Sequence, residues 1–180
     1  MANDIQVDDA AVHGAHTHAR GPTLLKLEEF LPYRLNVLSS LMSQALSRVY
    51  ADPYGIGVAE WRVLATLGQY GVMTGKAIGA HSHMHKTKVS RAVALLEKRK
   101  LVARRANRSD MRESFLSLTA AGREIYEHLA PIMLAMVQQL ISAIDPADCI
   151  VFDRVVKILT DRSAGLAAVV TSRQPVPETG

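Results

Sequence analysis

A chain of 180 residues with 48% hydrophobic but only 5% aromatic side chains is long enough for one domain with a sizeable core, and it favours helices packed on helices over a β-sandwich. Its single cysteine, Cys149, excludes an intramolecular disulfide and a multi-cysteine zinc or iron–sulfur site. The net charge of +4 conceals an asymmetry, because Lys86 to Arg112 holds ten basic and two acidic residues (+8) while the rest of the chain is at −4. A cationic face confined to one segment is the footprint of a polyanion partner, whereas a charge serving solubility alone would be spread more evenly.

Residues 1–22 and 171–180 lack apolar periodicity and read as flexible ends. The first 20 are polar and His-bearing, unlike a signal peptide. No apolar run approaches the roughly 18 residues of a membrane span, and the expected setting is cytoplasmic with no membrane partner. Leu31, Leu35, Leu38, Met42, Ala45 and Val49 recur at alternating spacings of three and four, which predicts a long first helix from about Leu24 to Tyr50, with Pro32 a possible kink. "ADPYGIG" breaks that pattern, and "VAEWRVLATLGQYG" supplies a second helix ending at Gly71, a residue suited to a left-handed cap.

"TGKAIGAHS" makes a short third helix, "HM" a turn and "HKTKVSRAVALLEKR" a fourth helix, the order of a helix-turn-helix. "LVARR", "ANRSDMR" and "SFLSLT" follow as a β-hairpin. Thr119 then caps a helix with the stripe Ile125, Leu129, Ile132, Met136 and Leu140. Asp145 and Pro146 open a last one with Val151, Val155, Ile158 and Leu159 along its buried side. Cys149 falls in that apolar pattern and reads as a buried, inert thiol. The expected fold is mainly α with a small hairpin: a lobe at about 57–119, with long helices at about 24–50 and 120–170. Those long helices are more apolar than one domain of this size can cover, which predicts a homodimer over a monomeric bundle.

On a helical wheel, Val89, Val93 and Leu96 share one side of the fourth helix; Thr87, Arg91, Ala94 and Lys98 lie opposite, flanked by Lys88 and Ser90. Such a face is often merely solvated. Here the preceding helix, the turn and the basic hairpin point instead to double-stranded DNA, whose major groove admits a helix that reads bases through its first turns. Lys86 and Arg108 belong to the same cationic segment. In "NRSDMR", Asp110 can hold the Arg112 guanidinium for a minor groove, or the two form an ordinary surface pair.

His81, His83 and His85 could ligate zinc, with His13, His16 and His18 as reinforcement. They straddle a helix end and a turn, however, so the simpler reading makes His85 a helix cap, His83 a turn residue and His81 a surface residue. No metal and no cofactor are therefore assigned. A metal-responsive regulator using the three histidines is the alternative function. No nucleophile–base arrangement or phosphate-cradling glycine motif marks an enzyme.

"EWRVLATLGQYG", "VSRAVALLEKRKLV", Asp110-x-Arg112 and "LSLTAAGRE" together resemble the MarR family of bacterial transcriptional regulators over about Leu24 to Leu166. The resemblance implies a winged helix-turn-helix dimer, with Thr87, Lys88, Ser90 and Arg91 in the recognition helix and Asp110 and Arg112 in the wing. Two positions depart from the family pattern: His85 stands where Asp is frequent, and Ser82 where a larger apolar residue is frequent. The reactive cysteine of the family's peroxide sensors has no counterpart near the first helix.

"FLPYRLNVLSSLMSQALSRVY" is similar to a subgroup responding to aromatic acids or their coenzyme A thioesters. That likeness implies a repressor released from a palindromic operator by such a small effector. Arg34 would pair with its anionic group and Trp61 would offer an aromatic wall, with Asn36 and Leu38 on the same helix as Arg34. Trp61 as core and Arg34 as a surface or dimer contact is the competing reading.

Overall fold

The computed structural model describes residues 24–106 and 113–173, which form α1 (Leu31–Tyr54), α2 (Val58–Tyr70), β1 (Met73–Thr74), α3 (Gly75–Ser82), α4 (Lys86–Lys98), β2 (Val102–Ala106), β3 (Ser114–Leu118), α5 (Ala120–Ile141) and α6 (Pro146–Arg173). The chain divides into two compact units at Ser40 and Leu41.

In the first unit, α1 starts at Leu31 rather than Leu24, after a turn in which the Phe30 N–H donates to Lys26 O at 3.1 Å. Pro32 therefore falls in the first helical turn, where a missing N–H costs no helical bond, and it introduces no kink. In the second unit α1 runs past Tyr50 to Tyr54, with Pro53 in its last turn. Gly55, at φ +55°, ends it.

The core of the second unit gathers around α2. Val63, Leu64 and Leu67 are fully buried, against Ile78 of α3, Val89, Val93 and Leu96 of α4, Leu116 of β3 and Leu129 of α5. Each such side chain taken from water contributes about 1.5–3 kcal/mol. Gly71 ends α2 at φ 77°, ψ −124°. The positive φ was expected of a capping glycine, but this ψ lies outside the left-handed helical well and suits glycine alone. The hairpin forms as expected, with Val102 opposite Leu118 and Ala106 opposite Ser114. A third strand joins it: β1 pairs with β3 through Met73 and Leu116, giving the antiparallel order β1-β3-β2.

Thr119 caps α5, its Oγ1 accepting from the Gly122 N–H at 3.1 Å, and Asp145 Oδ1 accepts from the Ala147 N–H at 2.7 Å at the start of α6. Beyond these starts the long apolar stripes are covered only in part. Leu129 is buried and Ile125 packs on the core, but Ile132 and Leu140 of α5 and Val151, Val155 and Ile158 of α6 are exposed in the single chain. Cys149 is half-buried rather than buried. Among the described residues, no single helix is long and apolar enough to cross a membrane.

Candidate nucleic-acid interface

Thr74 begins the site by accepting the Ala77 N–H on its Oγ1 at 3.2 Å, which caps α3. The helix stops at His83, whose left-handed backbone (φ 50°, ψ 37°) reverses the chain. The Met84 N–H then donates to Gly79 O at 3.1 Å, and the Met84 side chain is buried beneath the turn. A Cβ on Gly79 would stand 3.1 Å from Met84 O, so a small residue there lets the turn close on α3. Ser82, where a larger apolar side chain would fill space, instead donates its hydroxyl to Ile78 O at 2.6 Å.

His85 is the N-cap of α4, its Nδ1 accepting the Thr87 N–H at 3.3 Å. Neutral imidazole with its proton on Nε2 is the form that can do this. From there α4 follows the helical wheel: Val89, Ala92, Val93 and Leu96 are buried, while Lys86, Thr87, Lys88, Ser90, Arg91, Ala94 and Lys98 are exposed. The result is an apolar anchor on one side and a polar, cationic face with a small residue at its centre on the other.

The three histidines do not converge. His81 packs on Tyr70 with the rings tilted and their centres 4.4 Å apart, His83 forms the turn and His85 caps α4. Among the described residues, no group of three or more His, Cys, Asp or Glu side chains is assembled as metal ligands would be.

Two cations of the basic segment have partners that sequence reasoning missed. Arg104 on β2 grips Glu97 of α4 through two bonds, Nε to Oε1 at 2.8 Å and Nη2 to Oε2 at 2.9 Å, tying hairpin to helix. The hydrogen-bonded Glu97 carboxylate pushes the Arg104 pKa above the ordinary arginine value, against a smaller opposing effect of burial. Arg99 donates to Gly55 O at 3.1 Å and to Tyr54 O, closing the end of α1. The Arg99 contacts span 44 and 45 residues and the Arg104 pair joins a helix to a strand across seven, so neither follows from a helical or strand period. Arg108, Asp110 and Arg112 lie outside the described residues.

A groove of about 520 Å³ separates α3 and α4 from the hairpin, with Lys76, Lys86, Ser90, Arg104 and Glu113 on its walls. A second, shallower cleft of about 280 Å³ lies between α2 and the end of α3, lined by Trp61, Arg62, Thr66, Gln69, Tyr70 and His81. Trp61 stacks between Tyr50 at 5.5 Å and Tyr126 at 6.4 Å, so it is a packing residue with one edge on a cleft. Arg34, Asn36 and Leu38 are exposed on the α1 portion that belongs to the first unit.

Two helices joined by a tight turn, the second with an exposed cationic face, followed by a hairpin that forms a small antiparallel sheet, define a winged helix-turn-helix protein. Residues 54–113 match the sequence model of the MarR family. An uncharacterised HTH-type transcriptional regulator of Bacillus subtilis, YwoH, is 31% identical over 91 residues, which is 51% of this chain and 66%, just under two thirds, of that relative. A MarR/EmrR family transcriptional regulator from Acinetobacter sp. ADP1 superimposes with a TM-score of 0.71 at 23% identity, covering 78% of this chain and 99% of the other. Sco3205, a MarR family regulator from Streptomyces coelicolor solved in complex with DNA, does so with a TM-score of 0.67 at 24% identity, covering 79% and 91%. One third of the chain thus matches the MarR family's sequence model, and the fold is that of the winged helix-turn-helix regulators it superimposes on.

Proposed function

We propose that this protein is a transcriptional regulator that binds double-stranded DNA by laying α4 in the major groove. The observation that carries this is the division of α4 into a buried face of Val89, Ala92, Val93 and Leu96 and an exposed face of Thr87, Ser90, Arg91, Ala94 and Lys98, within the basic segment of the chain. A helix anchored on one side and polar, cationic and narrow on the other can approach a groove floor. Lys86 and Lys88 supply phosphate contacts. The Asp110-x-Arg112 signature supports a wing role for that pair, and Arg108 is a further DNA contact from the same basic segment.

The working form is a homodimer, because the exposed Leu134, Ile150, Phe152 and Leu166 of α5 and α6 make apolar surface a monomer rarely leaves in water. In this reading the lobe spans about 57–119 and the dimerisation helices about 24–50 and 120–170. The protein acts in the cytoplasm as a repressor released by a small aromatic anion or its coenzyme A thioester. The Trp61, Arg62, Tyr70 and His81 cleft has the aromatic walls and the cation such a ligand needs. Arg34, Asn36 and Leu38 remain effector candidates from the family resemblance.

The test is to select a duplex from a randomised library with the native protein and to measure affinity for it, and for a shuffled duplex, across salt concentrations. The expected result is a preference of about a thousandfold or more, with affinity falling steeply as salt rises. Equal, salt-insensitive affinity for both would overturn the proposal. A thermal-shift series with aromatic carboxylates and acyl-coenzyme A esters tests the effector reading, since a ligand of the folded state raises its melting temperature.

A further inference from the structure

Besides the Arg104–Glu97 pair and the buried Leu96, the carboxyl-terminal end of α4 is fixed in two further ways. Within the chain's local structure, Lys100 at φ 58° follows the helix, the Lys100 N–H donates to Glu97 O at 2.9 Å and the Leu101 N–H to Leu96 O at 2.9 Å. This is the paired-bond termination usually built on glycine, and it leaves Arg99 as the last residue before the reversal. Outside α4, the Arg99 guanidinium reaches 44 and 45 residues back to the Gly55 and Tyr54 carbonyls. A helix end leaves its final carbonyls without helical partners and carries partial negative charge, so a planar two-pronged cation is well matched to it. Arg99 thus caps α1 with its side chain while its backbone ends α4. The amino-terminal end of α4 is held separately, by the buried Met84 and the turn on Gly79.

We infer that Arg99 is a positioning residue for DNA reading: by joining the end of α4 to the end of α1 it sets the tilt at which Thr87, Ser90 and Arg91 meet the bases. The inference rests on the proposed role of α4. Base-edge hydrogen bonds need side chains held to fractions of an ångström, whereas attraction to phosphates is long-ranged and tolerates tilt. A helix that loses this tie to α1, and is held at its carboxyl end only by the buried Leu96 and the Arg104–Glu97 pair to the hairpin, would keep its affinity for DNA in general and lose discrimination. Arg99 is then a cation of the basic segment whose work lies in the protein and not on the nucleic acid.

The experiment uses the full chain, the duplex selected by native protein and a shuffled duplex of equal length. Arg99→Met should lose about tenfold on the selected duplex and less than about twofold on the shuffled one. The salt dependence on each should stay unchanged. Arg99→Lys, which keeps the charge but offers a point donor in place of a fork, should fall between native and Arg99→Met. Gly55→Val disturbs the same contact from the other side without touching a charge, because a β-branched residue at φ +55° forces the backbone to move. It should reproduce the Arg99→Met pattern. A simple loss of stability lowers the folded fraction equally for both duplexes and leaves their ratio intact, so the ratio reports positioning. Equal losses on both duplexes with a shallower salt dependence would make Arg99 a phosphate contact, and unchanged affinities would make it idle; either overturns the inference. Native protein that prefers no duplex would remove the α4 reading and this inference together, whereas a native preference retained by Arg99→Met and Gly55→Val would remove this inference alone.

Discussion

Gly122 of α5 lies against the backbone of Leu101, so close that a Cβ at Gly122 would stand 2.0 Å from the Leu101 carbonyl oxygen. That oxygen accepts the Thr119 N–H at 3.0 Å, and the Thr119 hydroxyl donates to Lys100 O at 2.7 Å. The start of α5 is therefore clamped onto the chain where it leaves α4. Gly122→Ala must push rigid backbone apart, at a cost of about 1–3 kcal/mol in stability. Urea unfolding followed by circular dichroism measures it, and a native midpoint would show that the clamp yields freely.

That contact explains one glycine of "LTAAGRE", and it marks where sequence reading stops. The faces of α4 were legible because burial follows a 3.6-residue period, and the caps at Thr119 and Asp145 because a short polar side chain before an apolar run has few other uses. Strand β1 was not, since Met73 and Thr74 are too few to show alternation and owe their conformation to pairing with β3. The functions of Arg99 and Arg104 were equally hidden. In sequence both belong to a run of cations, and only folding brings the Tyr54 carbonyl and Glu97 carboxylate to them. The stripes of α5 and α6 carry a correct period, but whether a stripe is buried depends on what covers it.

Tyr50 gives a pH prediction. It is 2% exposed and stacked on Trp61, and burial raises its phenol pKa above the ordinary tyrosine value while nearby Arg62 pulls it back in part. The folded protein thus holds the phenolic proton more tightly than the unfolded chain does. The stability this contributes is complete below the unfolded value of about 10 and is lost as pH rises through the higher folded value. Native protein should lose stability more steeply above about pH 10 than Tyr50→Phe, which has no proton to release. Parallel stability curves for the two proteins would contradict this.

His85 separates stability from DNA binding. Its Nδ1 cap on the Thr87 N–H is long, at 3.3 Å, and an aspartate is a stronger acceptor that also complements the positive end of a helix. His85→Asp should therefore stabilise the fold by a few tenths to about 1 kcal/mol, raising the melting temperature by about 1–4 °C. The added negative charge beside Lys86 and Lys88 should at the same time weaken binding to any duplex. Melting temperature and affinity measured on the same preparation should move in opposite directions, and a variant that gains in both would refute the placement of this turn beside the DNA.

Arg91 carries the most specific expectation for the recognition face. It is exposed on α4, one turn beyond Thr87 and next to Ser90, while Val89, Ala92 and Val93 on either side of it anchor the helix. A guanidinium on the open side of an anchored helix can donate two parallel bonds to the O6 and N7 of a guanine, a contact that distinguishes bases by about 1–3 kcal/mol. Arg91→Ala should lose that much on the selected duplex and less on a shuffled one, and reselection with the variant should relax one base position while leaving the others intact. Equal losses on both duplexes, with the salt dependence reduced by about one counterion, would reassign Arg91 to the phosphate backbone. Base reading would then fall to Thr87 and Ser90, whose single hydroxyls discriminate less sharply than a guanidinium fork.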